Sequence, residues 1–151
     1  MINRIFGSFF MGFIFISILD FLYFIGLKLH YFDFYKIDVY FNVLFVDNQN
    51  FYIIVPLSLL VGYLLMYSSF VKIFMKIYII TILLFVTTLY EPIGKTLGES
   101  VFLKQNQRYK LGSTTFSGDR LYKGRNNIYI YRKDLKKTVK LPLGDVENIT
   151  Y

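Results

Sequence analysis

The feature that most constrains this chain is a run of 23 residues, 5–27, that contains a single charged residue, Asp20. A helix of that length, at about 1.5 Å per residue, crosses a hydrocarbon core of roughly 30 Å. Residues 51–70 and 73–92 form two further apolar segments. Apolar residues make up 55% of the 151-residue chain and charged residues only 18%, which is typical of a membrane protein. We therefore predict three transmembrane helices, over residues 5–27, 51–70 and 73–92.

The segments between these spans predict how they connect. Only Val71 and Lys72 separate the second and third spans, which indicates a tight antiparallel hairpin. Residues 29–50 are rich in aromatic side chains, and polar and apolar residues alternate over residues 36–43. Because that alternation is typical of a half-buried strand and Tyr rings favour the headgroup zone, we expect an aromatic surface loop. Arg4 precedes the first span as in a signal peptide, but no Ala-type cleavage site follows, which favours a retained anchor.

The charge of the chain is divided sharply. Residues 1–94 carry five basic and five acidic side chains, whereas residues 95–151 carry 12 basic and 5 acidic ones. The whole net charge of +7 therefore lies in the second region. We predict a transmembrane domain over residues 1–94 and a basic soluble domain over residues 95–151.

Short β-type runs separated by turn residues fill the basic region, beginning with residues 101–104. In the clearest hairpin, Ile128 and Ile130 face one side, and Val139 and Leu141 supply the apolar face of the returning strand. The predicted fold class is thus an α-helical integral membrane protein followed by a small all-β domain. That domain is either an SH3-like barrel or a bent antiparallel sheet.

Composition and charge also predict the location of the protein. A chain rich in Phe, Ile, Tyr, Lys and Asn without Ala or Trp is typical of an AT-rich bacterial genome. Near the spans, the side shared by the loop and the tail carries more Lys and Arg than the opposite side. The positive-inside rule then places the tail in the cytoplasm. We expect a multi-pass protein of the bacterial inner membrane with a cytoplasmic β-domain.

Asp20 is the most unusual residue of the predicted spans. A carboxylate at the centre of a membrane helix costs about 2.5–3.5 kcal/mol, so a polar partner is expected. Counting along neighbouring antiparallel spans places Ser58 and either Thr87 or Thr88 at the same depth. We predict that these residues form one intramembrane polar layer. The layer joins the three helices, contacts the membrane helix of a partner subunit, or conducts ions.

Two other patterns concern the packing of the spans. Lys28 and Glu91 stand at the ends of parallel spans, which predicts an ion pair at the membrane interface. Small residues spaced four apart allow helices to approach closely, and the sequence has two such pairs. We expect them to pack helices within the chain, with a homo-oligomer interface as the alternative. These helix-packing residues are Ser8, Gly12, Ser58 and Gly62.

Basic and aromatic residues interleave along the predicted β-domain. This pattern is typical of a surface that docks a partner protein or anionic lipid headgroups, and a solvated surface without a partner is the plainer interpretation. Nucleic acid is not expected as a partner, because a membrane tether makes lipid headgroups the simpler source of phosphate. The predicted docking residues are Arg120, Tyr122, Lys123, Arg125, Tyr129, Tyr131, Arg132, Lys136 and Lys137.

The sequence lacks the motifs of the common enzyme classes. It has no Cys, which excludes a thiolate nucleophile and Cys-based metal sites. His30 and Asp33 have metal-like spacing, but two ligands do not make a metal site. The sequence contains no Ser-His-acid set, no phosphate-binding Gly loop and no His-Glu-x-x-His motif. We therefore expect a protein without catalytic activity, cofactor or metal.

These features predict an accessory or scaffold subunit of a larger membrane or cell-envelope complex, with other membrane-protein subunits as partners. The first alternative is an immunity-type protein that blocks a pore-forming toxin within the inner membrane. The second is a small oligomeric ion channel or transporter that uses Asp20.

Overall fold

The computed structural model describes residues 2–149; residue 1 and residues 150–151, at the ends of the two predicted regions, lie outside the described part. The predicted order of helices followed by strands is confirmed. The helices are α1 (Ile2–Leu27), extended by a π-helical turn (Lys28–Phe32), α2 (Phe41–Asp47), α3 (Phe51–Met66), α4 (Val71–Val86), extended by a 3-10 turn (Thr87–Leu89), and α5 (Glu91–Phe102). The strands are β1 (Lys104–Leu111), β2 (Thr114–Lys123), β3 (Asn127–Arg132), β4 (Lys137–Pro142) and β5 (Val146–Asn148).

Among residues 2–149, two helical segments are long and apolar enough to cross a membrane, Ile2–Phe32 and Val71–Leu89. The predicted second span, residues 51–70, corresponds to α3 alone, and α3 does not qualify as a span by itself. Together with α2, which it meets at 84°, it qualifies only as a broken span or a re-entrant loop. With 16 residues, α3 alone is about 24 Å long and shorter than the hydrocarbon core. It ends at Met66 rather than at residue 70, since the Ser68 hydroxyl accepts a hydrogen bond from the Phe70 amide in the turn that follows.

Helix α1 contacts both other long helices. The Tyr78 hydroxyl of α4 donates to the carbonyl of Phe15 (2.8 Å), and the Thr88 hydroxyl donates to the carbonyl of Leu22 (3.2 Å). Residue numbers therefore rise together along α1 and α4, so these two helices run parallel. Helix α3 runs antiparallel to α1, because Gly12 lies beside Ser58 whereas the earlier Ser8 lies beside the later Gly62.

The four small residues predicted for helix packing all lie where α1 meets α3. A Cβ atom added to Gly12 would lie 1.8 Å from the carbonyl oxygen of Ser58. One added to Gly62 would lie 1.7 Å from the carbonyl oxygen of Ser8. The two backbones therefore touch, which only glycine permits at these positions. In this structure the small residues pack helices within one chain.

Half of the predicted aromatic loop over residues 29–50 is helical, and the expectation of an extended segment is wrong for α2. Phe41 and Phe45 lie one helical turn apart, and their rings contact those of Phe21 and Phe24 at centroid distances of 5.4 and 5.5 Å. Because residues spaced by four share one face of a helix, this aromatic pattern fits a helix as well as a strand. The alternation over residues 36–43 is too short to distinguish a strand from a helix.

A second correction concerns α5, which replaces both the end of the predicted third span and the predicted strand over residues 101–104. The backbone of Tyr90 is extended, which ends the preceding helix, and Pro92 begins the new one in its first turn. Gly94 and Gly98 lie one turn apart, and an added Cβ atom would lie 2.4 Å from the carbonyl oxygen of Thr88 at the first and 2.3 Å from the ring of Tyr31 at the second. These glycines allow α5 to pack flat on α1.

The strands form one antiparallel sheet in the order β4-β3-β2-β1-β5. The sheet is curled but open, with β4 and β5 as its edges, so it is a bent sheet and not a closed barrel. In the predicted hairpin, Ile128 pairs with Leu141 and Ile130 pairs with Val139. The apolar alternation therefore predicted the shared face of β3 and β4 correctly, and the structure gives their register.

The two faces of the sheet have different partners. On one face, Tyr109, Ile128 and Ile130 form a small core of their own. The other face packs on the end of α1 and on the segment that follows it. The β-region is too small for a large core of its own, and it shares this core with the helices. That shared core consists of Phe24, Leu27, Tyr31, Phe32, Ile37, Leu44, Leu121, Tyr122 and Tyr129.

Candidate functional site

The candidate site is the junction at which the end of α1 carries the sheet. The π-helical turn places Tyr31 and Phe32 against strand β2, and both side chains are fully buried. The hydroxyl of Tyr31 donates to the carbonyl of Leu121 (2.8 Å), and the Phe32 ring lies edge-on to the Tyr122 ring at 5.0 Å. Aromatic packing and a buried hydrogen bond therefore connect the end of α1 directly to the sheet.

The segment between α1 and α2 lies along strands β3 and β4. The hydroxyl of Thr138 donates to the carbonyl of Tyr35, and the hydroxyl of Tyr129 donates to the carbonyl of Asp38, both at 2.6 Å. Lys140 adds an ion pair with Asp38 at 3.5 Å. These contacts hold the segment in one position on the sheet.

Helix α2 is joined to the turn between β2 and β3 by a second ion pair. Asp47 at the end of α2 pairs with Arg125, and its side chain is only 10% exposed. Asn48 donates to the carbonyl of Leu44 (2.8 Å), which closes the end of the helix. Because a carboxylate at this exposure needs a counter-ion, the pair fixes α2 against the sheet.

The tyrosines Tyr35 and Tyr122 lie at this junction, outside the two helical segments that are apolar enough to span a membrane. The hydroxyl of Tyr35 donates to the Glu99 carboxylate of α5 at 2.6 Å. Burial, together with this negative partner, raises the pKa of Tyr35 far above its ordinary value. Burial also raises the pKa of Tyr122. Both phenols are therefore held in the neutral form.

Two of the predicted docking residues are in fact core residues. Tyr122 and Tyr129 are 4% and 3% exposed and point towards the end of α1, so neither can meet a partner. The alternation of β3 places Tyr129 opposite Ile128 and Ile130, but both faces of the strand turn out to be covered. The sequence does not show that second covering, because it comes from the helices.

The other predicted docking residues differ in their exposure and in their contacts with other side chains. Arg120 and Tyr131 are half-buried on β2 and β3. Arg132 pairs with Asp134 and lies over the ring of Phe116, 4.8 Å from its centroid. Arg125 is exposed although it pairs with Asp47. Lys123, Lys136 and Lys137 are exposed, and each lines an open pocket at one end of β3.

The predicted intramembrane layer is not assembled as expected. Asp20 accepts a hydrogen bond from the side chain of Gln49, just before α3, instead of from Ser58. Ser58 is fully buried against Gly12, two helical turns below Asp20 along α1. The threonines bond carbonyls: Thr87 donates to Leu84, and Thr88 to Leu22 and Phe85. These hydroxyls use nearby backbone oxygens because such acceptors are always within reach in a helix.

The predicted ion pair of Lys28 with Glu91 is likewise replaced. Lys28 pairs with Asp33, five residues on in the same chain segment, while Glu91 is exposed in the first turn of α5. The ring Nε2 of His30 donates to the carbonyl of Leu89 at 2.7 Å. Over residues 2–149, no group of three or more His, Asp or Glu side chains is placed to hold a metal ion.

Sequence reasoning missed several residues that build the junction, namely Tyr31, Tyr35, Asp38, Asp47 and Thr138. The only available signal was the aromatic cluster at residues 31–35, which fits the headgroup zone equally well.

Comparison with known proteins found no match to this chain, neither among protein-family models nor among curated proteins nor among solved structures. Function is therefore inferred from the residues and their arrangement alone.

Proposed function

We propose that this protein is a non-catalytic accessory or scaffold subunit of a membrane complex, in which the membrane helices hold a basic sheet that docks a partner protein. The observation that carries this proposal is the core shared by α1 and the sheet, with the buried hydrogen bond from Tyr31 to Leu121 at its centre. A protein that only tethers a domain needs no such joint. A subunit that positions a partner relative to other membrane helices does need one.

The helix directions support a chain that crosses the membrane three times. Because α1 and α4 run parallel, the chain must return between them, and α3 runs antiparallel to α1. On this proposal the bent α2–α3 pair is the returning span, and α2 lies near the headgroups. The amino-terminal end of α1 and the sheet then lie on opposite sides of the membrane. We place the protein in a bacterial inner membrane with the sheet in the cytoplasm, as the distribution of Lys and Arg favours.

The proposed partner carries an acidic surface. Among the docking residues, Lys123, Arg125, Lys136 and Lys137 remain exposed, and they lie towards the two ends of β3. Charged groups on a rim favour association by steering an oppositely charged surface into register. Among residues 2–149, Arg125 is the only one of these four cations that forms an ion pair within the chain, and its partner is Asp47.

Site-directed cross-linking tests this proposal. A photoreactive residue placed at Lys123 or at Lys137 should cross-link to the same partner protein in native membranes. The double variant Lys123→Gln, Lys137→Gln should lose most of that complex in mild detergent. Lys110→Gln on β1 removes the same kind of charge from an exposed position that was not assigned to docking, and should leave the complex intact.

Two results would contradict the proposal. One is a chain that purifies from native membranes as a monomer and gives no cross-link from either position. The other is protection of cells from a pore-forming toxin by this chain alone, which would support the immunity-type alternative.

A further inference from the structure

Three lysines from two distant parts of the sequence line one pocket, which we name the lysine pocket. Lys36 comes from the segment after α1, and Lys136 and Lys137 come from the hairpin between β3 and β4. The pocket has a volume of about 340 Å³, within the range of ligand-binding pockets. Its remaining walls are Phe34, Tyr35, Tyr131 and Thr138.

A hydrogen bond from a side chain to the backbone connects the two segments that carry these lysines. The hydroxyl of Thr138 donates to the carbonyl of Tyr35 at 2.6 Å, so the residues that follow Tyr35 and precede Thr138 lie side by side. Those neighbours are Lys36 and Lys137. The fold therefore brings the segments of Lys36 and Lys137 to the same pocket.

The carboxylates nearest to this hairpin are already engaged. Asp134 pairs with Arg132, and Asp119 pairs with Lys133 at 3.3 Å. Glu99, on the inner side of Tyr35, accepts the hydroxyl of that tyrosine. Within residues 2–149, none of the three lysines of the pocket forms an ion pair. Like charges gathered without a counter-ion repel one another, and a bound anion would relieve that repulsion.

The backbone at the pocket also departs from the ordinary. Lys36 has a φ of 54° and Lys136 a φ of 50°, in the left-handed region that favours glycine. Among residues 2–149, the only other residue besides glycine with positive φ is Asn106. Strained backbone concentrates at functional sites because the surrounding structure must hold it in place. Here both strained lysines face the same pocket.

We infer that the lysine pocket binds a phosphate monoester group, with its attached organic part resting against the rings of Phe34 and Tyr131. A monoester carries about 1.5 to 2 negative charges near pH 7, which matches several lysines better than a carboxylate with one charge does. Lysine binds phosphate as a mobile point charge and needs no fixed planar geometry. The same chemistry is offered by a soluble phosphate ester and by the headgroup of phosphatidic acid.

Binding to the purified full-length chain tests this inference without any partner protein. The chain is placed in nanodiscs of phosphatidylcholine, and the binding of glycerol phosphate is measured by calorimetry. For the lipid source, nanodiscs containing phosphatidic acid are compared with nanodiscs containing phosphatidylglycerol, whose phosphate is a diester. Because one nearby basic group contributes about 1 kcal/mol, each Lys→Gln change at positions 36, 136 and 137 should weaken binding roughly fivefold.

The control variant is Lys110→Gln, which removes one positive charge from an exposed position on β1. Tight binding of glycerol phosphate, weakened by the three pocket variants and not by the control, supports a soluble ligand. A response confined to phosphatidic acid, with the same pattern among the variants, supports a lipid ligand. Equal weakening by Lys110→Gln, or no binding of either ligand to a folded wild-type chain, would overturn the inference. Should one of the three pocket variants fail to fold, the other two give the same reading.

Discussion

The hydroxyl of Tyr31, in the π-helical turn that extends α1, donates a hydrogen bond to the carbonyl of Leu121 in strand β2, 90 residues further along the chain. Both side chains are almost completely buried. Because this contact is buried, the orientation of the sheet depends on the orientation of α1.

Replacing this tyrosine tests how strongly the sheet depends on the helix. Tyr31→Phe keeps the ring but removes the donor, which should destabilise the chain by about 1 kcal/mol and lower the midpoint of thermal unfolding in detergent by roughly 2–4 °C. Limited proteolysis of the sheet should also become faster. The matched control is Tyr52→Phe, because Tyr52 is 94% exposed. An equal effect of the two variants would show that the buried hydrogen bond does not hold the sheet.

Close packing of α1 and α3 gives a second prediction. In Gly62→Ala, the new Cβ atom would lie 1.7 Å from the backbone oxygen of Ser8, so the helices must separate, at a cost of about 1–3 kcal/mol. Disulfide cross-linking of Cys pairs placed on the two helices reports the separation. Gly7→Ala adds the same atom where its nearest neighbours are flexible side-chain atoms 3.7 Å away, and should be tolerated. If both variants cross-link like the parent, the close approach is not required.

The junction should also lose stability in alkali. An unfolded chain loses the proton of a tyrosine near pH 10, whereas the folded state raises the pKa of Tyr35 and of Tyr122 and keeps both neutral. The stabilisation is therefore fully present below about pH 10 and is lost as the pH rises towards the raised pKa values. The free energy of unfolding, measured against pH with phenolate absorbance as the second readout, should fall in this range. Tyr35→Phe should reduce the slope; an unchanged slope would remove Tyr35 from this account.

The membrane topology is open to a direct test because the chain has no native Cys. Single cysteines at Asn3 and at Ser113, both exposed, report the two ends of the membrane region. With three crossings and a cytoplasmic sheet, a membrane-impermeant thiol reagent should label only the cysteine at position 3 in intact cells, and the one at position 113 after lysis. Labelling of both positions in intact cells would mean that α3 does not cross. Labelling of position 113 alone would place the sheet in the periplasm.

Periodicity and spacing predicted those parts of the fold that depend on near neighbours. Ile128 and Ile130 face Leu141 and Val139 because alternation along a strand determines which face is apolar. Residues 5–27 form a helix because an apolar segment in a membrane must satisfy its own backbone hydrogen bonds. Positions such as Gly12 and Gly62 stood out for a similar local reason.

By contrast, only the tertiary structure decided which polar groups meet. Asp20 accepts a hydrogen bond from Gln49 and Asp47 pairs with Arg125, since each carboxylate takes the donor or cation that packing brings nearest.

The sequence by itself determined that this chain has helices apolar enough for a membrane, a basic β-region after them and the apolar face of its main hairpin. What it left to the tertiary structure was the joint between the two parts. Tyr122 and Tyr129 are core residues only because the end of α1 covers them. The segments of Lys36 and Lys137 lie together because the hydroxyl of Thr138 donates a hydrogen bond to the carbonyl of Tyr35. Contacts between residues about 100 positions apart leave no periodic trace in a single sequence, because they arise from the summed packing of the whole chain.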